Sequence, residues 1–217
     1  MSIRSLMLAV ALALIIMTPA INAQFSGTPA QANFHDTSML RPPAGSKVAV
    51  IVFEDLGCPA CGHAHPIELQ ATGQMHVPLV RYDFPIAAHI WTFDGAVCAR
   101  YLQDKVSPKL ADEYRSAVFA SQMSIGSKDD LQHFTQRWMQ QHKLQMPFVM
   151  DPDGTLAKKV QADYSLGLRL NVQYTPTVVV VAGGHYQVIC GTKDGPNDPS
   201  QLLPVLEAAI NQVKSGH

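Results

Sequence analysis

An apolar, mostly β-branched run, Val48-Ala-Val-Ile-Val-Phe53, leads through Glu54 and Asp55 to Gly57 and then at once to Cys58-Pro59-Ala60-Cys61. No other stretch of the chain constrains the fold as much. The run is short and continuously apolar, the pattern of a strand buried on both faces. The segment after Pro59 can be helical. A Cys-x-x-Cys where a strand hands over to a helix is the arrangement of a dithiol–disulfide redox site.

The spacing has a physical reason. Two thiols one helical turn apart can close a small disulfide ring with little backbone movement. Pro59 suits the first helical position, where its missing N–H costs nothing. Cys58 then sits at the helix N-terminus, facing free backbone N–H groups and the positive end of the dipole. Both favour its thiolate. Cys61 lies a turn further in and is more shielded. Cys58 is therefore the candidate attacking and attacked sulfur, and Cys61 the resolving one. A competing arrangement is a metal site built from Cys58, Cys61, His63 and His65. Those four ligands crowd into eight residues, whereas zinc ligand pairs usually come from two separated segments. Redox chemistry is preferred, with no metal and no cofactor.

The chain has 217 residues, 47% of them hydrophobic and 15% charged, enough for one well-buried domain with an insertion. A formal net charge of −1 gives no reason to expect nucleic acid as a partner. The N-terminus differs in kind. Arg4, an apolar core from Leu6 to Met17, and small residues ending at Ala23 read as a signal peptide, residues 1–23, cleaved after Ala23. The apolar core is short for a membrane span, and an uncleaved anchor is the minority alternative. Cleavage leaves 15 Lys and Arg against 17 Asp and Glu, a net charge of −2. Export to the periplasm changes what the cysteines can do. In an oxidising compartment a Cys-x-x-Cys can donate disulfides, shuffle them, or be kept reduced by a partner.

Further along, residues 24–46 form a polar extension with a turn at Pro42–Gly45, a weak strand near Phe34–Leu40, and too little apolar content for a dimerisation domain. A monomer is expected. Strands are expected at Lys47–Glu54 and Val77–Phe84. A helix from Pro59 to about Ala71 lies between them, ended by Gly73. Residues 86–146 switch to helical periodicity. Asp94 is read as starting one helix. Ser107-Pro108 caps a second, which carries Leu110, Tyr114 and Val118. Ser127-Lys-Asp-Asp130 resembles a capping box for a third, with Leu131, Phe134 and Trp138 on one face. A turn follows at Asp151–Gly154, then a helix marked by Leu156, Val160 and Tyr164. Val178–Val181 and Tyr186–Cys190 around Gly183-Gly184 read as an antiparallel hairpin. Asp198-Pro199 opens a final helix.

This order resembles a thioredoxin fold. With the helical insertion and signal peptide it resembles the DsbA-like family of exported thiol–disulfide oxidoreductases. The expected architecture is α/β, with a mixed central sheet: residues 47–85 and 147–217 form the thioredoxin-like domain and 86–146 the helical insertion. The motifs that carry the resemblance are Phe53-Glu-Asp-Leu-Gly-Cys-Pro-Ala-Cys61 and Tyr174-Thr-Pro-Thr177, including Asp55 three residues before Cys58. The resemblance implies a cis Thr175–Pro176 bond, with Thr175 and Pro176 binding an extended substrate chain beside Cys58. In one place the chain departs from its relatives. Thioredoxin and several others bury an acid six positions before the first cysteine, and Val52 stands there. Glu54 is the candidate for proton transfer, with Asp55, His63 and His65 as alternatives. Pro59-Ala60 between the cysteines lacks a His that could favour the thiolate, so Cys58 should be depressed, but less than in DsbA.

Cys98 and Cys190 complete an even number of cysteines. A second disulfide between them and two free core thiols are both open. The expected function is oxidation of thiol-containing client polypeptides as they fold, with a membrane redox partner that restores the disulfide. The alternatives are a disulfide isomerase or reductase and, from another class, a Cys/His metal-binding protein.

Overall fold

A computed structural model describes residues 39–183, 185–190 and 199–215. The expected signal peptide and most of the N-terminal extension, including nearly all of the weak strand at Phe34–Leu40, lie outside them. The elements in chain order are β1 (Val48–Glu54), α1 (Pro59–Met75), β2 (Leu79–Asp83), α2 (Thr92–Tyr101), α3 (Pro108–Ser121), α4 (Lys128–Gln141), α5 (Thr155–Arg169), β3 (Thr177–Ala182), β4 (His185–Cys190) and α6 (Pro199–Ser215). A π-helical turn at Leu102–Val106 links α2 to α3, and a 3-10 turn at Gln122–Ser124 follows α3.

The sheet has the order β2-β1-β3-β4. β2 runs parallel to β1, while β3 and β4 are antiparallel additions on the other side. All seven residues of the central strand β1 are buried, as its unbroken apolar run predicts. Its side chains alternate between two cores. Val48, Val50 and Val52 pack with Val178, Val180 and the α6 residues Leu206 and Ile210. Ala49, Ile51 and Phe53 face the other way, onto Phe84, Leu166 and Leu170. A third core joins α2, α3 and α4 through Leu102, Tyr114, Val118 and Trp138, and reaches Cys58 and Cys61. The dithiol therefore lies on the seam between the sheet unit and the helical insertion.

Several boundaries move. α1 runs through Gly73 to Met75, because one glycine costs a helix only about 1 kcal/mol. It ends where His76 turns left-handed (φ 50°) and Val77 N–H donates to the Thr72 carbonyl, just before Pro78. That closure uses Val77, so β2 begins at Leu79. α2 starts at Thr92, two residues before Asp94, which instead sits in the first turn near the positive helix end. On α3 the buried face carries Ala111, Tyr114, Arg115 and Val118, with Leu110 only half-buried. The Ser127 hydroxyl accepts from Asp130 N–H as a capping box requires. The Asp130 carboxylate reaches back to the N–H of Gly126.

Candidate active site

Cys58 is the N-cap of α1, with extended backbone (φ −79°, ψ 119°), and Pro59 occupies the first turn. Cys58 N–H donates to the Asp55 carbonyl at 3.0 Å, and the Cys58 carbonyl receives Gly62 N–H at 3.1 Å. The cysteine is thus locked at the point where the chain enters the helix. Cys58 and Cys61 are both present as thiols. The Thr175–Pro176 bond is cis. It brings the Thr175 carbonyl to 3.3 Å from the Cys58 sulfur, which donates to it as a thiol. The buried Thr175 hydroxyl has no hydrogen-bond partner in this state and favours the Cys58 thiolate.

These contacts split the two thiols. The Cys61 thiol, acting as a hydrogen-bond donor, does most to lower Cys58, against the opposing effect of burial. Thr175 and the N–H groups of Cys61 and Ala60 add to it, and the Cys58 pKa falls from 9.0 to about 5. Cys61 moves the other way. Burial and the neighbouring Cys58 push it well above the ordinary thiol range.

Asp55 staples the loop that carries this site. One carboxylate oxygen accepts from Gly57 N–H at 2.9 Å; the other accepts from Ile86 N–H at 2.9 Å and meets His89 Nδ1 at 2.6 Å. From the insertion, the Gln122 amide donates to the Leu56 and Cys58 carbonyls at 2.7 and 2.9 Å. Glycine leaves room where these parts meet. A Cβ on Gly57 would lie 2.6 Å from the Thr92 methyl, and one on Gly62 would lie 2.6 Å from Gln122 Oε1.

Behind the dithiol lies a buried charge cluster. Arg115 is 2% exposed, yet it donates to Glu54 at 3.0 Å and to Asp83 at 2.7 Å. Arg100 bonds Asp83 at 2.6 Å and also Asp163. Arg81 lies 3.6 Å from Glu54 and 2.5 Å from Asp112. Burial raises the Glu54 pKa despite Arg115 and Arg81. Asp83 stays below the usual carboxylate range because Arg115 and Arg100 together outweigh its burial.

The residues singled out from sequence divide accordingly. Cys58, Pro59, Ala60, Cys61, Thr175 and Pro176 come together. Glu54 points its carboxylate into the Arg115 and Arg81 pairs, and among the described residues no hydrogen bond joins it to Cys61. The Cys58, Cys61, His63 and His65 metal set does not assemble. His63 is exposed, while His65 is buried, with its Nε2 2.7 Å from the Ser116 hydroxyl and its ring against Phe119. Cys98 and Cys190 are free thiols in separate cores, Cys98 beside Tyr114 and Thr135, Cys190 against the Pro176 carbonyl. Sequence reading missed Gln122 and His89, for which spacing gives no signal. It also missed Arg115 and Glu68. Arg115 does leave a trace as a charge on the stripe Ala111, Arg115, Val118.

A family model described as thioredoxin matches residues 36–207, and the chain belongs to that family. Its fold is the DsbA-like form, with helices inserted into the thioredoxin unit. Alpha-DsbA1 from Wolbachia pipientis superposes with a TM-score of 0.61 at 17% identity, covering 84% of this chain and 99% of its own. Reduced DsbA1 from Neisseria meningitidis gives 0.57 at 18% identity, covering 81% and 90%. ScsC from Proteus mirabilis gives 0.55 at 17%, covering 79% and 72%. At these identities the likeness is one of fold. No curated protein sequence matches the chain.

Proposed function

We propose that this protein is an exported thiol–disulfide oxidoreductase that oxidises folding client polypeptides. The observation that carries the reading is the asymmetry at the dithiol: Cys58 favours its thiolate while Cys61 holds its proton. A disulfide whose reduction releases a stabilised Cys58 thiolate is a good oxidant. A client thiolate attacks the Cys58 sulfur, the Cys58–Cys61 bond breaks, and Cys61 leaves with the electron pair. A second client thiolate then attacks the client sulfur of the mixed disulfide. The client leaves oxidised and the enzyme reduced, and a membrane redox partner takes its two electrons.

The Thr175 backbone and Pro176 line the position a client chain would take beside Cys58. Export rests on the character of residues 1–23, with cleavage after Ala23. Among the described residues no helix is long and apolar enough to cross a membrane. The protein is proposed to work as a periplasmic monomer.

The test is the equilibrium reduction potential of the mature protein, titrated in glutathione buffer with thiols counted by mass. A potential near or above about −180 mV supports the oxidase, and one near about −270 mV makes the protein a reductase. If Cys58 and Cys61 form no reversible disulfide, the redox reading fails.

A further inference from the structure

On α1, Cys61, His65, Glu68 and Thr72 follow one another at helical spacing and are all buried. A stripe this polar on the inner face of a helix is costly unless each group has a partner. Thr72 has one, since its hydroxyl donates to the Glu68 carbonyl. His65 Nδ1 and Glu68 Oε1 have none, nor do Nε and Nη2 of Arg81 on the facing strand. The Glu54, His65 and Glu68 side chains place a ligand atom each within 4.8 Å of one another. A cation fits poorly there, because the Arg81 and Arg115 guanidiniums already sit on Glu54. A water molecule shared by the two orphaned acceptors and the Arg81 donors would satisfy them all.

The protonation pattern can be read from the hydrogen bonds. The Ser116 hydroxyl donates to the Asp112 carbonyl. It therefore has no proton left for His65, and Nε2 must be the donor to Ser116. His65 Nδ1 is then a bare acceptor beside the carboxyl groups. Burial, then Arg81 and Arg115, hold the ring neutral, with its pKa down at about 3. Burial, then Glu54, push the Glu68 carboxyl up to about 8 against the pull of Arg81, so near neutral pH Glu68 carries a proton. Side chains on a helix lean toward its N-terminus, which aims Glu68 at His65 and Cys61.

We propose that Glu68 is a buried proton store for the redox cycle, passing its proton along the His65 stripe to Cys61 as that sulfur leaves the disulfide. The inference rests on the oxidoreductase reading above. When the client thiolate attacks Cys58, the S–S bond breaks and the electron pair goes to Cys61. Glu68–COOH gives up its proton through water and becomes a carboxylate, and Cys61 becomes a thiol. The Glu68 carboxylate regains a proton from solvent before the next turnover. The net change is disulfide plus two electrons and one solvent proton, giving the Cys58 thiolate and the Cys61 thiol. Glu68 acts through other groups and is a positioning residue in this scheme. The charged and titratable groups facing it are His65 on its own helix, Glu54 on β1, Arg81 on β2 and Cys190 on β4, with Asp83 and Arg115 joined to Glu54 in the cluster behind and Cys61 one helical turn beyond His65. α6 adds apolar contacts and Lys214, which reaches the Met75 carbonyl at the far end of α1.

Two measurements on the mature protein test this. The first is the single-turnover rate of disulfide reduction by a small dithiol from pH 6 to 9. The wild-type rate, corrected for thiolate concentration, should fall as pH rises through about 8. Glu68→Gln should lack that inflection and be slower by about tenfold or more at pH 7. The second needs no variant to fold: time-resolved infrared spectra of the wild type during a single reductive turnover should show a transient loss of the C=O stretch of a protonated carboxyl group, recovering as Glu68 takes up its solvent proton. An inflection unchanged in Glu68→Gln, or no transient loss of the carboxyl band during the wild-type turnover, overturns the proposal. If the dithiol cycles normally in either case, the oxidoreductase reading survives. If no reversible disulfide forms at all, that reading falls as well.

Discussion

One helical turn separates Cys58 from Cys61, and the two thiols live in opposite surroundings. Cys58 stands at the helix entrance, where the Cys61 thiol, the Thr175 side chain and the free N–H groups of the first turn all favour its thiolate. Cys61 stands inside, above a buried cluster in which the Arg115 guanidinium is already taken by Glu54 and Asp83. The helix dipole fades within the first turn, so position alone begins the split and the neighbours complete it. A redox dithiol of this kind needs no unusual residue. It needs one sulfur surrounded by donors and another denied them.

The sharpest way to break the comparison is to exchange the sulfurs' roles. Cys58→Ser should abolish disulfide exchange outright, while Cys61→Ser should accumulate a mixed disulfide with client through Cys58. Mass spectrometry of trapped adducts distinguishes the two. Trapping at Cys61 in the Cys58→Ser protein would mean that the inner thiol is not denied charge after all. In the wild type, the Cys58 thiolate also ties redox state to pH. Its pKa is depressed, so the stability it gives the reduced, folded chain is complete above the free-thiol value of about 8.5 and is lost as pH falls through about 5. The stability difference between reduced and oxidised protein in urea should shift accordingly across that window.

The inner region is next. Arg115→Met leaves Glu54 and Asp83 without their shared guanidinium in a place water scarcely reaches. Removing one partner of a buried ion pair costs about 3–5 kcal/mol, which a urea melt of the oxidised protein would read directly. A loss within the range of a surface substitution would show that the cluster is far wetter than its burial indicates.

How much of this was written plainly in the sequence follows the same division. The outer site was legible because its logic is local. A strand, Gly57, two cysteines and Pro59 within a few positions specify the geometry of Cys58, and β1 announces its double burial by lacking alternation. The hairpin and the helical insertion were equally local. The inner region is a meeting of distant residues. Glu54, Asp83, Arg100, Arg115 and Asp163 come from five elements, and nothing in the spacing of one predicts its distance from another. Glu54 was a candidate for proton transfer by its place beside the cysteines alone, because Arg115, which engages it, lies 61 residues away. The helix end at His76 was hidden for another reason: Gly73 carries the usual stop signal, but the nearby Pro78 decided where the helix could close.

On the outer side, Thr175→Val removes a hydroxyl that serves the Cys58 sulfur and keeps the shape. A hydrogen bond to a charged group contributes about 1.5–3 kcal/mol, equivalent to roughly one to two pKa units and about 30–60 mV. Cys58 alkylation should therefore titrate at higher pH, and the protein should become a weaker oxidant. The reduction potential and the alkylation midpoint must move together if the thiolate sets the potential.

Gln122→Leu is the smallest change and the most discriminating. Its amide holds the Leu56 and Cys58 carbonyls and does not touch either sulfur. Losing it strands the Leu56 carbonyl and leaves the Cys58 carbonyl with Gly62 N–H alone, which should lower stability by about 1–3 kcal/mol in urea. The alkylation midpoint of Cys58 should nevertheless stay where it is in the wild type, because the donors to the sulfur come from α1 and Thr175. A midpoint shifted as far as in Thr175→Val would mean that the loop's position, held from the insertion, sets the thiolate as much as the donors do. The insertion would then be part of the redox machinery, and the contrast between the two sulfurs would have to be drawn across the seam between sheet and insertion instead of along one helix.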